Sequence, residues 1–130
     1  MNILIVGLGS IGKKHVLAIN KIRPDARIYA VRSDQNAAAV SGVNSIYSFD
    51  EVSFIPDFII ISNPTLFHEE SIQRCLSFRS PIFIEKPALL DLTNASLLIE
   101  EVRESNVITY VGCNMRFHPA LKFFKELFKA

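Results

Sequence analysis

The sequence predicts an α/β fold: a doubly wound parallel sheet with helices on both faces, in three layers. Three observations carry that expectation. Short aliphatic runs at residues 3–6 and 58–61 have the composition of strands buried on both faces. Stretches whose apolar positions step at helical intervals stand between such runs, so strand alternates with helix along the chain. A length of 130 residues suits one such domain with a real core. Right-handed crossovers between about six strands then favour the order 3-2-1-4-5-6.

The elements follow in order. Residues 3–6 form the first strand; Gly7, Gly9 and Gly12 come next, and the apolar positions become helical from Ile11. That helix, over residues 13–22, is ended by Pro24. Residues 27–32 form a second strand, residues 36–40 a short helical stretch and residues 43–47 a third strand. The fourth strand covers residues 58–62, a helix residues 66–78 and the fifth strand residues 81–84. Asp91 or Thr93 caps the next helix, which runs to Ser105, and residues 107–111 form the sixth strand. No repeat, linker or low-complexity segment interrupts the pattern.

The stretch 117–130 reads differently. Phe117, Leu121, Phe124 and Phe128 share one helical face, widened by Phe123 and Leu127. Two readings follow: a helix packed on the sheet, or a helix that docks a following domain.

Composition excludes several classes. A net charge of +1 gives no basis for nucleic-acid or anionic-membrane binding, and the adjacent Lys13 and Lys14 read as a solvated helix face. Cys75 and Cys113 lack metal-ligand or redox spacing, so no metal is expected and reduced thiols in a cytoplasmic protein are. Met1 leads straight into the first strand without a leader signature, and no apolar run is long enough to span a bilayer. The apolar fraction of 49% and mean hydropathy of +0.26 are high for a small domain. Strands buried on two faces explain much of that, and a face for another domain explains the rest.

Chemistry is expected at the carboxyl ends of the strands, where this kind of sheet binds ligands. The glycines fit the pattern GxGxxG between a strand and a helix, which is where a dinucleotide needs them. Gly7 allows the tight turn, Gly9 lets the backbone approach a pyrophosphate, and Gly12 lets helix pack on strand. The helix dipole adds only about 0.3–1 kcal/mol per charge, so hydrogen bonds and geometry supply most of the affinity. The other readings of such a turn are a methyltransferase-like nucleotide site, an empty scaffold of the same fold and a plain glycine-rich turn.

Past the second strand stand Arg32, Ser33 and Asp34. A cation and a hydroxyl suit a 2′-phosphate, which favours NADP, whereas Asp34 turned to the ribose would favour NAD. Past the fourth strand come Asn63, Pro64 and Thr65, then His68 at a helix start, read either as a structural histidine or as a ligand contact. Past the fifth come Glu85, Lys86 and Pro87, either an exposed ion pair of little worth or a cation placed at the cleft. Past the sixth, Asn114 and Arg116 bring an amide and another cation to the same rim.

Taken together, GLGSIGKKH, SNPTLFH, EKP and GCNMRFHP resemble, in that order and over essentially the whole chain, the Gfo/Idh/MocA oxidoreductases. The resemblance implies a Rossmann domain over residues 1–116 and an NAD(P)-dependent dehydrogenase acting on sugars, inositols or related alcohols and carbonyls. It implies that Gly7, Gly9, Ser10, Ile11 and Gly12 hold the pyrophosphate and that Arg32 and Ser33 approach the adenosine ribose. Asn63, Pro64, Thr65 and His68 would line the cofactor cleft. Glu85 and Lys86 would sit near the nicotinamide, with Lys86 catalytic, and Asn114 and Arg116 would join that rim.

Family members carry a second α/β domain with the substrate site and an Asp/His acid–base pair. On that expectation the chain is a cofactor domain, inactive alone, whose residues 117–130 lead toward a C-terminal substrate domain. Homo-oligomerisation is a further family expectation. A rival reading from another class is a non-catalytic NAD(P)-binding or interaction module working through the Phe-rich face.

Overall fold

The computed structural model describes residues 1–128. Its sheet is built from β1 (Asn2–Val6), β2 (Arg27–Val31), β3 (Val43–Ile46), β4 (Phe58–Ile61), β5 (Ile82–Ile84) and β6 (Thr109–Val111). All pairings are parallel, in the order β3-β2-β1-β4-β5-β6. The helices are α1 (Ser10–Ile22), α2 (His68–Leu76), α3 (Ala95–Ser105) and α4 (Pro119–Leu127). The expected order and three-layer Rossmann architecture are both present.

Period-two alternation splits each continuous apolar strand between two cores. Leu4, Val6, Ile59, Ile61, Ile82 and Ile84 face α2 and α3, meeting Ile72, Cys75 and Leu98. Ile3, Ile5, Ile28, Ala30 and Ile60 face the other way and meet Leu8 and Val16 at α1. Each such aliphatic side chain contributes about 1.5–3 kcal/mol on burial, so the central strands anchor the molecule. Burial in the first core also pushes the Cys75 thiol up to about 12.

The structure corrects several local expectations. Residues 36–40 form no helix. The Asp34 carboxylate accepts the Asn36 N–H at 2.8 Å, fixing a turn, and Gly42 at φ 76° breaks the chain before a nucleus forms. The helix expected from residue 66 begins at His68, because Pro64 precedes a 3-10 turn over Thr65–Phe67. Neither Asp91 nor Thr93 caps α3; its first flanking residue is Asn94. Asp91 instead accepts the Thr93 N–H at 2.9 Å, and that hydrogen bond holds its carboxyl below the usual range. Asn106, at φ 54°, ends α3 in the left-handed conformation.

The terminal helix forms but does not pack on the sheet. Pro119 opens α4 and the His118 ring accepts the Ala120 N–H at 3.3 Å, so the helix is capped. No residue of α4 is buried, and its main contact among the described residues is with the turn Asn114–Phe117 that precedes it. The last two residues of the expected stretch, Lys129 and Ala130, lie outside the described residues. Among the described residues no helix is long and apolar enough to cross a membrane.

Candidate functional site

The site begins where β1 turns into α1. Gly7 sits at φ 89°, and a Cβ there would meet the Asn63 Cα at 2.5 Å. The Ser62 hydroxyl donates to the Gly7 carbonyl at 2.8 Å, tying the ends of β1 and β4 together. A Cβ on Gly12 would lie 2.4 Å from that same carbonyl. Gly7 and Gly12 therefore serve close packing of backbone on backbone.

Gly9 is the opposite case. A Cβ there would meet nothing within 4 Å. Gly9 is the cap of α1, no side chain closes the helix start, and no acidic residue stands in its first turn. The positive end of α1 is thus offered to the cleft, an arrangement that favours an anion.

That cleft has a volume of about 680 Å³. Gly7, Leu8, Gly9, Ser10 and Ile11 form one wall, Arg32, Ser33, Asp34, Tyr47 and Phe49 another, and Ser62, Asn63, Pro64 and Phe67 a third. A smaller lobe of about 140 Å³ adjoins it, lined by Thr65, His68, Glu85 and Lys86. Ile11, Ser62, Asn63 and Pro64 line both lobes, so the two are neighbours across one ridge.

The structure thus gathers most of the residues singled out in the sequence, although several stand differently than expected. Arg32 is 7% exposed: its guanidinium donates to Ser45 Oγ at 3.0 Å and to the Ala38 carbonyl at 3.1 Å. It braces the loop after β2 against β3. Ser33 and Asp34 remain exposed at the same wall. His68 is 1% exposed, with Nε2 2.9 Å from the Asn63 carbonyl oxygen and Nδ1 3.2 Å from that of Ala88. Its ring ties the loop after β4 to the segment after β5.

The Asn63 amide donates to Ser71 Oγ at 2.8 Å, while its Oδ1 is buried without a hydrogen-bond partner among the described residues. Lys86 is exposed at the small lobe, and its ammonium has no ion-pair partner among the described residues. Asn114 and Arg116 line neither lobe; the Arg116 guanidinium lies 5.7 Å from the Phe117 ring centroid.

Sequence reasoning gave no role to His15, whose Nε2 lies 2.8 Å from Glu85 Oε1. The available signal was its place three residues after Gly12 and one before the buried Val16, on the inward flank of α1. Tyr47, Phe49 and Phe67 were likewise unassigned; they give the large lobe its apolar, aromatic lining.

A family model described as an oxidoreductase family with an NAD-binding Rossmann fold matches residues 1–113. The chain belongs to the Gfo/Idh/MocA oxidoreductase family. It is 33% identical to myo-inositol 2-dehydrogenase of Thermotoga maritima, over 97% of this chain and 40% of that protein. Among solved structures, myo-inositol 2-dehydrogenase from Lactobacillus plantarum is similar with a TM-score of 0.85 and 25% identity, over 99% of this chain and 41% of that one. A scyllo-inositol dehydrogenase from Lactobacillus casei, with bound NAD(H) and scyllo-inositol, is similar with a TM-score of 0.79 and 25% identity. It too is covered over 41% of its length by 99% of this chain. The chain thus spans about two fifths of the relatives it matches.

The residues present fit a dinucleotide. An open Gly9, an uncapped positive helix end and a cleft that runs from Asp34 past Asn63 to a lobe holding Lys86 are what an elongated anionic ligand requires.

Proposed function

We propose that this chain is the nicotinamide-dinucleotide half of a dehydrogenase acting on inositols, sugars or related alcohols and carbonyls. The observation that carries the reading is the open backbone at Gly9, facing a cleft of about 680 Å³ at the uncapped start of α1. The bound nicotinamide supplies the hydride acceptor or donor. The chain's own residues bind and orient. Gly9, Ser10 and Ile11 offer backbone N–H groups to the pyrophosphate, and Gly7 and Gly12 hold those groups in place. The aromatic wall of Tyr47, Phe49 and Phe67 shelters the adenosine end.

Lys86 is the proposed catalytic residue: its unpaired ammonium supplies positive charge, or a proton, at the reacting substrate oxygen. Thr65, His68 and Glu85 shape the lobe around it. Asn114 and Arg116 keep a place at the outer rim on the family resemblance alone.

At the ribose end, Arg32 and Ser33 favour NADP by residue type, while the contacts favour NAD. The Arg32 guanidinium is drawn toward Ser45 and Ala38, leaving the Asp34 carboxylate at the wall to accept from a 2′-hydroxyl and repel a 2′-phosphate. The relative solved with NAD(H) supports the same choice. The apolar face of α4, in relatives more than twice this length, supports a further reading: residues from 117 onward lead into a substrate domain that covers them.

A thermal-shift titration with NAD⁺ and NADP⁺ tests this. A ligand at a hundred times its dissociation constant stabilises the fold by about 2.7 kcal/mol. The expected result is a larger shift with NAD⁺. A larger shift with NADP⁺ returns the ribose to Arg32 and Ser33, and no shift with either overturns the dinucleotide reading.

A further inference from the structure

The contact between His15 and Glu85 has no part in the roles assigned above, although it joins the two halves of the cleft. The two residues stand 70 positions apart, and their side chains are only 22% and 20% exposed. His15 projects from α1, the helix whose start faces the large lobe. Glu85 follows β5 and lines the small one. Glu85 Oε1 is 2.8 Å from His15 Nε2, and Oε2 accepts the Lys86 backbone N–H at 3.3 Å. A carboxylate only accepts, so the His15 nitrogen is the donor. One side chain thus connects α1, through Glu85, to the backbone of Lys86.

The imidazole is fixed in a second direction as well. Phe83 lies two residues before Glu85 in β5 and so presents its side chain on the same face of the sheet. Its ring meets the His15 ring at 5.5 Å and 70°, and its other flank stacks on Tyr110 at 5.8 Å. Edge contact and hydrogen bond thus hold the imidazole from two sides. An exposed ion pair between flexible side chains would have no such definition.

We propose that His15 is a positioning residue that braces the Glu85–Lys86–Pro87 turn at the nicotinamide end against α1. The proposal rests on the dinucleotide reading above. Its distinctive consequence is that His15 matters to the nicotinamide half of the ligand and not to the adenosine and pyrophosphate half. A residue that merely stabilised α1 would affect both halves alike.

The experiment uses this chain with two ligands: NADH, followed by the emission of its reduced nicotinamide, and ADP-ribose, which keeps both phosphates but lacks the nicotinamide ring. Two variants separate the ring from the donor. His15→Phe keeps an aromatic ring against Phe83 and removes the hydrogen bond; His15→Gln removes the ring and keeps an N–H of similar reach. His15→Phe is expected to weaken NADH binding by roughly five- to tenfold, the net scale of one typical hydrogen bond, with ADP-ribose binding unchanged. His15→Gln is expected to recover most of that loss. Glu85→Ala should weaken NADH binding similarly and add little in the His15→Phe background. Parallel losses for both ligands, or no loss of NADH binding in His15→Phe, overturn the proposal while leaving the dinucleotide reading intact. A wild-type chain that binds neither ligand overturns both.

Discussion

In the centre of the sheet Leu4, Ile5, Ile59 and Ile61 are fully sheltered, whereas Leu121, Phe123, Phe124 and Leu127 of α4 are 44–62% exposed. The two regions are similarly apolar, and each carries the periodicity of its own element. They differ in neighbours. β1 is paired along its length with β2 and β4 and covered by helices on both sides. α4, among the described residues, is held mainly against the turn before it and buries none of its side chains. An apolar stripe therefore specifies an element and the face it presents, while the partner for that face has to come from elsewhere in the chain or from another molecule.

The largest expected effect tests the sheltered side of that contrast. Leu4→Ala leaves a cavity between β1, α2 and α3 and should cost about 2–5 kcal/mol, read from the midpoint of urea unfolding. With total stability for such domains at about 5–15 kcal/mol, much of the native margin would go. A loss well under 1 kcal/mol would mean that the centre of the sheet is as loosely packed as its C-terminal limb.

The glycines sharpen the comparison within the central region itself. Gly12→Ala drives a Cβ to 2.4 Å from the Gly7 carbonyl, and the overpacking should cost about 1–3 kcal/mol. Gly9→Ala meets no neighbour and sits at φ −74°, so the lost N-cap preference for glycine and the lower chain entropy of alanine should largely offset, and stability should change by less than about 1 kcal/mol. Its effect should fall on binding instead: NAD⁺ affinity drops about tenfold as the Cβ enters the space where the backbone approaches a pyrophosphate. Equal melting temperatures for the two variants, or undiminished NAD⁺ binding by Gly9→Ala, would remove the distinction between the packing glycine and the binding glycine.

The two cysteines contrast the same regions through chemistry. Cys75 is buried in the core and its thiol is pushed up to about 12, whereas Cys113 is exposed just past β6. A thiol reagent at neutral pH should label Cys113 in the folded chain and reach Cys75 only on unfolding. The sign of the pH dependence follows from the raised value. Below about pH 9 the thiol is protonated in both states, so stability is unaffected. Between about pH 9 and 12 the unfolded chain loses the Cys75 proton while the folded chain keeps it, so stability falls by up to about 1.4 kcal/mol per pH unit. Cys75→Ala should flatten that slope relative to wild type; an unchanged slope would show that other groups set it.

The fold was legible because its signals are local and repeated. Aliphatic strands alternate with periodic helices, and the crossover rule then orders the sheet without any contact being known. Gly7, Gly9 and Gly12 were legible from their spacing between a strand and a helix, although the steric demand on Gly7 comes from Asn63, far along the chain, and a Cβ on Gly9 would meet no protein atom. Contacts across the chain were not. Arg32 at a strand tip gives no sign that its guanidinium turns back to Ser45, and His68 none that both ring nitrogens face carbonyls. His15 and Glu85 meet over 70 positions, which no periodicity encodes. The failed helix at residues 36–40 marks a competition within one turn, where the hydrogen bond from Asn36 N–H to the Asp34 carboxylate favours a bend over a nucleus the alanines cannot complete.

The smallest expected effect tests the bare side of the contrast. Leu121→Gln combined with Phe124→Gln removes two large apolar groups from α4 and keeps good helix formers in their places. Neither residue is buried, so urea unfolding should change by less than about 0.5 kcal/mol. The same substitutions lower the exposed apolar surface and should raise solubility. A loss of 2 kcal/mol or more, on the scale of a core truncation, would show that α4 is covered in solution. Sedimentation of the parent chain over a range of concentrations would then identify the cover: a dimer that dissociates in the double variant means a second copy of the chain, and a monomer means α4 folded back on the Phe83 and Tyr110 side of the sheet.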